Sequence, residues 1–350
     1  MTGCAPADGD ARAAASPSAP AAAPVVPTVI GKEQAEKVFN QYVWEHNASM
    51  DRRDGAAIAK VETGALLARS LANLEVAKAR GSAGLERTFV KPEFFIPAER
   101  DQPGYPRSFA VFSRGYSNLH NERAAAVHYF VQEVPGGEWK AAARSWTYDK
   151  PLTAQFDDTS YVVDGFAVRD KEIAAVRRDA AGAPALSPTA AEDRTVCGRY
   201  AEYLSFRAPN GEPESEHFVP GELTSDVVKA YNEDYPNLTL VRRSFAFEAA
   251  AGPELPVLKL ADGRSLVTCS FVRTDHWEGK VERAAIFKYG TGNPSADTDA
   301  LLGGGHKWWK STDVRRSVTA TLEVPAQGPA DVVGCNCFTA PVLSAEGTPD

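Results

Sequence analysis

Histidines and cysteines are the residues of this sequence whose chemistry could exceed a structural role. His46, His128 and the adjacent pair Asp275-His276 are candidates for acid–base work, because a histidine held against a carboxylate moves protons near neutral pH. His128 stands mid-run in Val127-His128-Tyr129-Phe130, where strand alternation sends it to the face opposite Tyr129. It is the candidate general base; no carboxylate is identifiably beside it, and the competing reading is a hydrogen-bonded structural histidine. His46 closes an apolar helical face and reads as a helix-end cap.

Other catalytic and binding signatures are incomplete. Neither Gly115-Tyr116-Ser117 nor Gly263-Arg264-Ser265 completes the Gly-x-Ser-x-Gly of a serine hydrolase. Gly290-Thr291-Gly292-Asn293-Pro294-Ser295 lacks the third glycine of a dinucleotide loop, and Pro294 removes a backbone N–H that would face phosphate. Asn293, Asp297 and Asp299 lack the central glycine and distal glutamate of a calcium loop. Cys335-x-Cys337 offers two ligands where a structural metal takes four, and no histidine lies near it,. The sequence therefore implies no metal and no cofactor.

The cysteines point to a compartment. Residues 2–4 read Thr-Gly-Cys, followed by an Ala/Pro/Ser tail punctuated by Pro6, Pro17, Pro20, Pro24 and Pro27. Small residues before a cysteine suit lipoprotein processing, and a tail of this composition cannot bury enough apolar surface to order itself. The expectation is a lipid on Cys4 and a disordered tether over residues 1–30, with Met1 where a leucine normally precedes the small residues. The charged and apolar segments of a signal peptide are expected upstream or trimmed away. Cys197, Cys269, Cys335 and Cys337 then remain, an even number that favours disulfides in an oxidising compartment. The expected pairing joins Cys269 to Cys335 or Cys337 across neighbouring strands and leaves Cys197 with the other.

A chain of 350 residues suits two domains of roughly 150 residues each after such a tether. A net charge of −8 and pI near 5.4, with scattered basic residues, argue against a nucleic-acid surface. No apolar run reaches the length of a spanning helix, so a membrane is expected as partner only through the lipid on Cys4.

The elements follow from periodicity. Ala35, Val38, Phe39, Tyr42, Val43 and His46 mark one face of a helix,; Asp54-Gly55 opens a second, and Leu67, Leu71 and Leu74 stripe a third. Alternation predicts strands over Arg87 to Ile96, Arg107 to Tyr116, Arg123 to Val134 and Glu138 to Tyr148. Residues 31–150 form a first domain, 151–186 an interdomain connection and 187–345 a second domain. The latter opens with a helix after Ser187-Pro188 and a helix from Ser225. Strands follow over Thr239 to Ala249, Val257 to Leu260, Ser265 to Arg273, Ala284 to Lys288, Val314 to Val324 and Val332 to Phe338. The fold class is α+β, each half being helices packed on a curved antiparallel sheet.

The Thr-Gly-Cys start, the Ala/Pro tail, the run Glu62-Thr63-Gly64-Ala65-Leu66-Leu67 and Tyr105-Pro106 opening a strand together resemble actinobacterial surface lipoproteins of unassigned function. The resemblance covers residues 4 to 345 and is clearer in the first half. It implies two tandem NTF2-like (cystatin-like) domains, each with a sheet wrapped round a long helix and a pocket at the open end. Phe39, Trp44, Phe109, Phe112, Tyr129 and Trp146 are candidates to line a ligand pocket, with core packing as the competing reading. Trp308 and Trp309, flanked by lysines, are candidates for a partner surface. The functional expectation is a non-enzymatic lipoprotein binding a small ligand or a protein partner in the cell envelope. The alternative is an NTF2-like isomerase or hydrolase with His128 as base.

Overall fold

The apolar stripe between Ala35 and His46 folds into α1 (Lys32–Arg52), whose buried side carries Ala35, Phe39, Tyr42 and His46. Arg53, left-handed at φ 56°, ends it. Asp54 caps α2 (Gly55–Val61), its carboxylate accepting the Ala57 N–H at 3.0 Å,, and α3 (Gly64–Arg80) follows. Strands β1 (Arg87–Phe95), β2 (Arg107–Ser117), β3 (Ala124–Gln132) and β4 (Lys140–Thr147) pair antiparallel in chain order. This computed structural model describes residues 1, 26–82, 87–117, 124–147, 160–163, 166–169, 175–233, 241–279, 295–303, 309–337 and 340–349. Cys4, Trp308, the Trp146 side chain, the Gly290 loop and the strand expected at Ala284 to Lys288 lie outside the described residues.

Both faces of the four-stranded sheet are covered. Phe109, Val111, Phe130 and Ala141 pack with Phe39 and Tyr42 of α1. Ala110, Val127, Tyr129 and Ala143 project the other way and pack with Leu258, Leu260 and Leu266 from a second sheet.

The second sheet has nine strands among the described residues. The hairpin β5 (Ser160–Val163) and β6 (Phe166–Arg169) is followed by α4 (Ala190–Asp193), α5 (Thr195–Tyr203), β7 (Arg207–Ala208) and α6 (Ser225–Glu233). Then come β8 (Val241–Ala249), β9 (Leu258–Lys259), β10 (Ser265–Gly279) and α7 (Ser295–Leu301). The chain closes with β11 (Trp309–Val324), β12 (Asp331–Cys335) and β13 (Val342–Pro349). The order is β5-β6-β12-β11-β10-β8-β7, with β13 added to β11 and β9 to β10. Its far face carries Val196 and Tyr200 of α5 and Val227 and Tyr231 of α6 against Phe247, Phe271, Val318 and Leu322. The layers run helices, sheet, sheet, helices: an α+β protein of two units set back to back.

Three expectations about the chain's course and surface are corrected. The described part of the connection expected over 151–186 is docked on the second sheet: β6 pairs with β12, and the Arg177 N–H bonds the Lys259 carbonyl at 2.8 Å. Four-residue strands hold too few alternations to be separated from loop by period. The tether ends before residue 30, since Val29 and Ile30 are buried in the first core and the Val29 N–H bonds the Pro97 carbonyl at 3.1 Å. Trp309 is buried, its ring lying so close over Gly347 that a Cβ there would sit 2.5 Å from it; it offers no partner surface.

The disulfides join Cys197 to Cys269 and Cys335 to Cys337, with Cα separations of 5.6 and 5.3 Å. Cys269 and Cys335 both stand opposite Ala320, on the two sides of β11. They are therefore two strand spacings apart, about 9–10 Å, more than a disulfide bridges.

The layer between the sheets is partly polar: Ser145 and Thr321 share a buried hydroxyl bond at 2.5 Å, and the Thr268 hydroxyl donates to Tyr129 at 3.0 Å. Burial pushes the Tyr129 phenol up to about 12, with the Thr268 bond opposing. Ser145→Ala or Thr321→Val alone strands one buried hydroxyl and should cost about 1–3 kcal/mol. The double variant should cost less than the sum, measured as urea unfolding free energies in a double-mutant cycle.

Candidate functional site

The run Glu62-Thr63-Gly64-Ala65 joins three parts of the protein. Glu62 ends α2 and places its carboxylate 2.8 Å from His46 Nδ1, both groups buried. The Thr63 N–H bonds the Ala141 carbonyl at 2.9 Å, docking the helix junction on the edge of β4. Gly64 has φ +56°, and a Cβ on it would lie 3.0 Å from Gly252 Cα. Backbone touches backbone here, so only glycine serves. The next residue, Ala65, faces a cleft.

That cleft holds about 260 Å³ at the junction of the units. Ala65, Ala142 and Ala143 contribute from the first unit; Arg194 at the start of α5, Cys197, Gly198 and Ala201 of α5, the 249–257 segment and residues 267–271 of β10 contribute from the second. The walls are mostly small and apolar, and the Cys197–Cys269 disulfide forms part of them. Arg194 fixes the loop by donating to the Leu255 carbonyl at 2.8 Å and pairing with Glu254 at 3.3 Å. Gly198 lies inside α5, where glycine costs roughly 1 kcal/mol relative to alanine, yet a Cβ added to it would meet nothing within 4 Å. Its absence widens the cleft without relieving any clash.

The predicted acid–base residues do not converge there. His128 is fully buried, with Ser113 Oγ 3.2 Å from its Nε2 and the rings of Phe39, Tyr42 and Phe89 edge-on around it. Burial, then Arg144, then His46 hold its pKa well below 6.5, so it is neutral at pH 7. The carboxylate on this side of the sheet, Glu62, is engaged with His46, which is thus an ion-pair or hydrogen-bond partner and not a helix cap. Asp275 is buried between Arg273 and Arg316, whose nitrogens come within 2.6 and 3.0 Å. His276, on the opposite face of β10, meets Asp313 at 2.8 Å on the surface. Asp297 pairs with Arg80 of α3 at 2.5 Å.

None of the described pocket aromatics lines the cleft. Phe39 and Phe109 are buried between α1 and the first sheet, Tyr129 lies between the sheets, and Phe112 packs on Phe95 with centroids 4.7 Å apart. Trp44 is 65% exposed on the outer side of α1. Helix α1 packs on one face of the sheet and the second sheet on the other, so these buried rings are core. Among the described residues, no three His, Cys, Asp or Glu side chains gather as metal ligands. The cleft residues were missed because many are alanine and glycine, which carry no chemical signal, and the one local signal was Gly198 inside an otherwise helical run.

Fold and cleft define a two-unit α+β protein with a small, largely apolar recess at the unit junction. The chain belongs to the family described as Domain of unknown function (DUF8094), whose model matches residues 26–341 and so spans both units. No curated protein and no solved structure matches the chain.

The His128 shift carries a pH dependence. The unfolded state protonates near 6.5 while the folded state resists protonation, so the unfolded state binds more protons below that pH and stability falls on acidification. Between pH 7 and 5 the urea midpoint should drop less steeply in His128→Gln than in the parent protein.

Proposed function

We propose that this chain is a lipid-anchored, extracytoplasmic protein that binds a small, largely apolar ligand in the cleft between its units. The observation that carries ligand binding is Gly198: a helix-interior glycine kept against local propensity, with open space where its side chain would stand. Positions that break a local rule with no packing reason are where function is to be sought. An apolar recess with a few fixed polar groups at its rim is the usual form of a small-molecule site.

The compartment is supported by the two disulfides, which persist where the surroundings oxidise,, and by Thr2-Gly3-Cys4 ahead of an Ala/Pro/Ser tail. The family match begins at residue 26, the point at which the tail gives way to docked chain. Within this reading the first unit is NTF2-like, which the 21-residue α1 lying on a bulged antiparallel sheet supports. A general-base role for His128 gains nothing from its surroundings, since the ring is sealed and Glu62 is committed elsewhere.

Gly198→Ala should raise stability by about 0.5–1 kcal/mol, while Gly198→Leu should fill the cleft. Native mass spectrometry of the full chain from its own membranes should show a small-molecule adduct that is lost in Gly198→Leu. An identical adduct in both proteins would sink the cleft reading. Intact mass of the same preparation should show a diacyl or triacyl increment, absent from Cys4→Ala; an unmodified parent chain would remove the anchor.

A further inference from the structure

A second recess lies on the first unit, far in character from the cleft. It measures about 260 Å³ between α1, the end of α2 and the turn joining β3 to β4. Its chemistry comes from Gln34, Gln41, Lys60, Gln132, Glu138 and Trp139, so it is polar where the cleft is apolar. We propose that it binds a neutral saccharide, through carboxamides to the hydroxyls and the Trp139 indole to the C–H face of the ring.

Three carboxamides in one recess set the ligand class. Each offers donors and an acceptor on one plane, matching sugar hydroxyls, which also donate and accept. Lys60 and Glu138 carry opposite charges, so the recess has no excess of one sign to select a phosphate or a cation. An extended peptide would need a strand edge, and the β4 edge is occupied at Ala141 by the Glu62 bridge and the Thr63 N–H. An indole presents an apolar body with a polar tip, the counterpart of a ring whose faces are C–H and whose rim is hydroxyl.

The recess is built on fixed parts, as a binding constellation requires. Lys140 Nζ donates to the Ala59 carbonyl at 2.8 Å and the Thr63 hydroxyl to Glu133 at 3.0 Å, tying α2 and its exit to the sheet. Gln132 Nε2 donates to the Gly137 carbonyl at 2.7 Å, which holds that amide and leaves its oxygen as acceptor. Trp139 is half-buried and packs edge-on against Phe109, centroids 5.1 Å apart at 61°. Gln34 and Gln41 are exposed positions seven residues apart, two turns along the same side of α1,.

Saturation-transfer NMR on the full chain tests this with D-glucose, N-acetyl-D-glucosamine and maltose as probes, and inorganic phosphate and benzoate as class controls. At least one sugar should receive saturation, with neither control doing so at the same concentration. The Gln34→Ala/Gln41→Ala variant, altered only at exposed helix positions, should weaken that sugar about tenfold, the loss of one to two hydrogen bonds. Glu138→Ala, in the turn, should weaken it as well. Gly198→Leu should leave it unchanged, which separates this site from the cleft. Transfer to phosphate or benzoate alone, no sugar transfer, or sugar transfer that survives both recess variants would each overturn the proposal.

Discussion

Over the described residues of β2 to β4 the first sheet is covered on both faces, and most of the architecture follows from that. One side is filled by α1 and the other is pressed against β10 and β11 of the second sheet. Strands buried on both sides must carry apolar or small residues at nearly every position, which is what Phe109 to Phe112 and Ala126 to Val131 provide. Backbone bonding within the strands satisfies the peptide groups, and the few hydroxyls between the sheets pair across the layer, Ser145 with Thr321 and Thr268 with Tyr129. Removing the second unit would expose this whole face, so the two units are one folding entity. A single family model spanning both agrees with that dependence.

The contact between the units is organised by four consecutive residues. Glu62 anchors the helix junction inward through His46, Thr63 ties it to β4, Gly64 admits the backbone of the 251–253 loop, and Ala65 opens onto the cleft. A buried carboxylate is costly unless paired, and the 2.8 Å approach of His46 supplies the pair. The second unit uses the same device at Asp275, held between two arginines, and at Glu323, which Arg264 reaches. These charges fix register and relative placement more than they add net stability. They also explain why His46 and Glu62 are occupied with each other and do not reach a surface recess.

The two recesses differ because their walls are made of different elements. Where α5 and β10 meet the start of α3, small residues and a disulfide leave an apolar gap. Where α1 passes the turn between β3 and β4, the outward side of an amphipathic helix contributes glutamines, and the recess is polar. Gln34 and Gln41 sit off the apolar stripe of α1, so the pattern that defines the helix also predicts that their amides face outward. That they face a recess depends on the hairpin turn at Gly136 and Gly137 folding back alongside.

Much was legible in the chain alone. The 3.6-residue period gave α1, the Asp54-Gly55 start gave α2, and alternation placed β1 to β4 within a few residues, because each signal is local and repeats several times within its element. The α+β class follows from that order. The disulfide partners, the incorporation of β5 and β6 into the second sheet, the burial of Trp309 and the fate of the described pocket aromatics were not legible. Each depends on which strands lie side by side and which faces meet, and strand adjacency is set by contacts far apart in sequence. Cys269 and Cys335 are the plainest case: both belong to strands beside β11, but on opposite sides of it, a fact that no spacing along the chain contains.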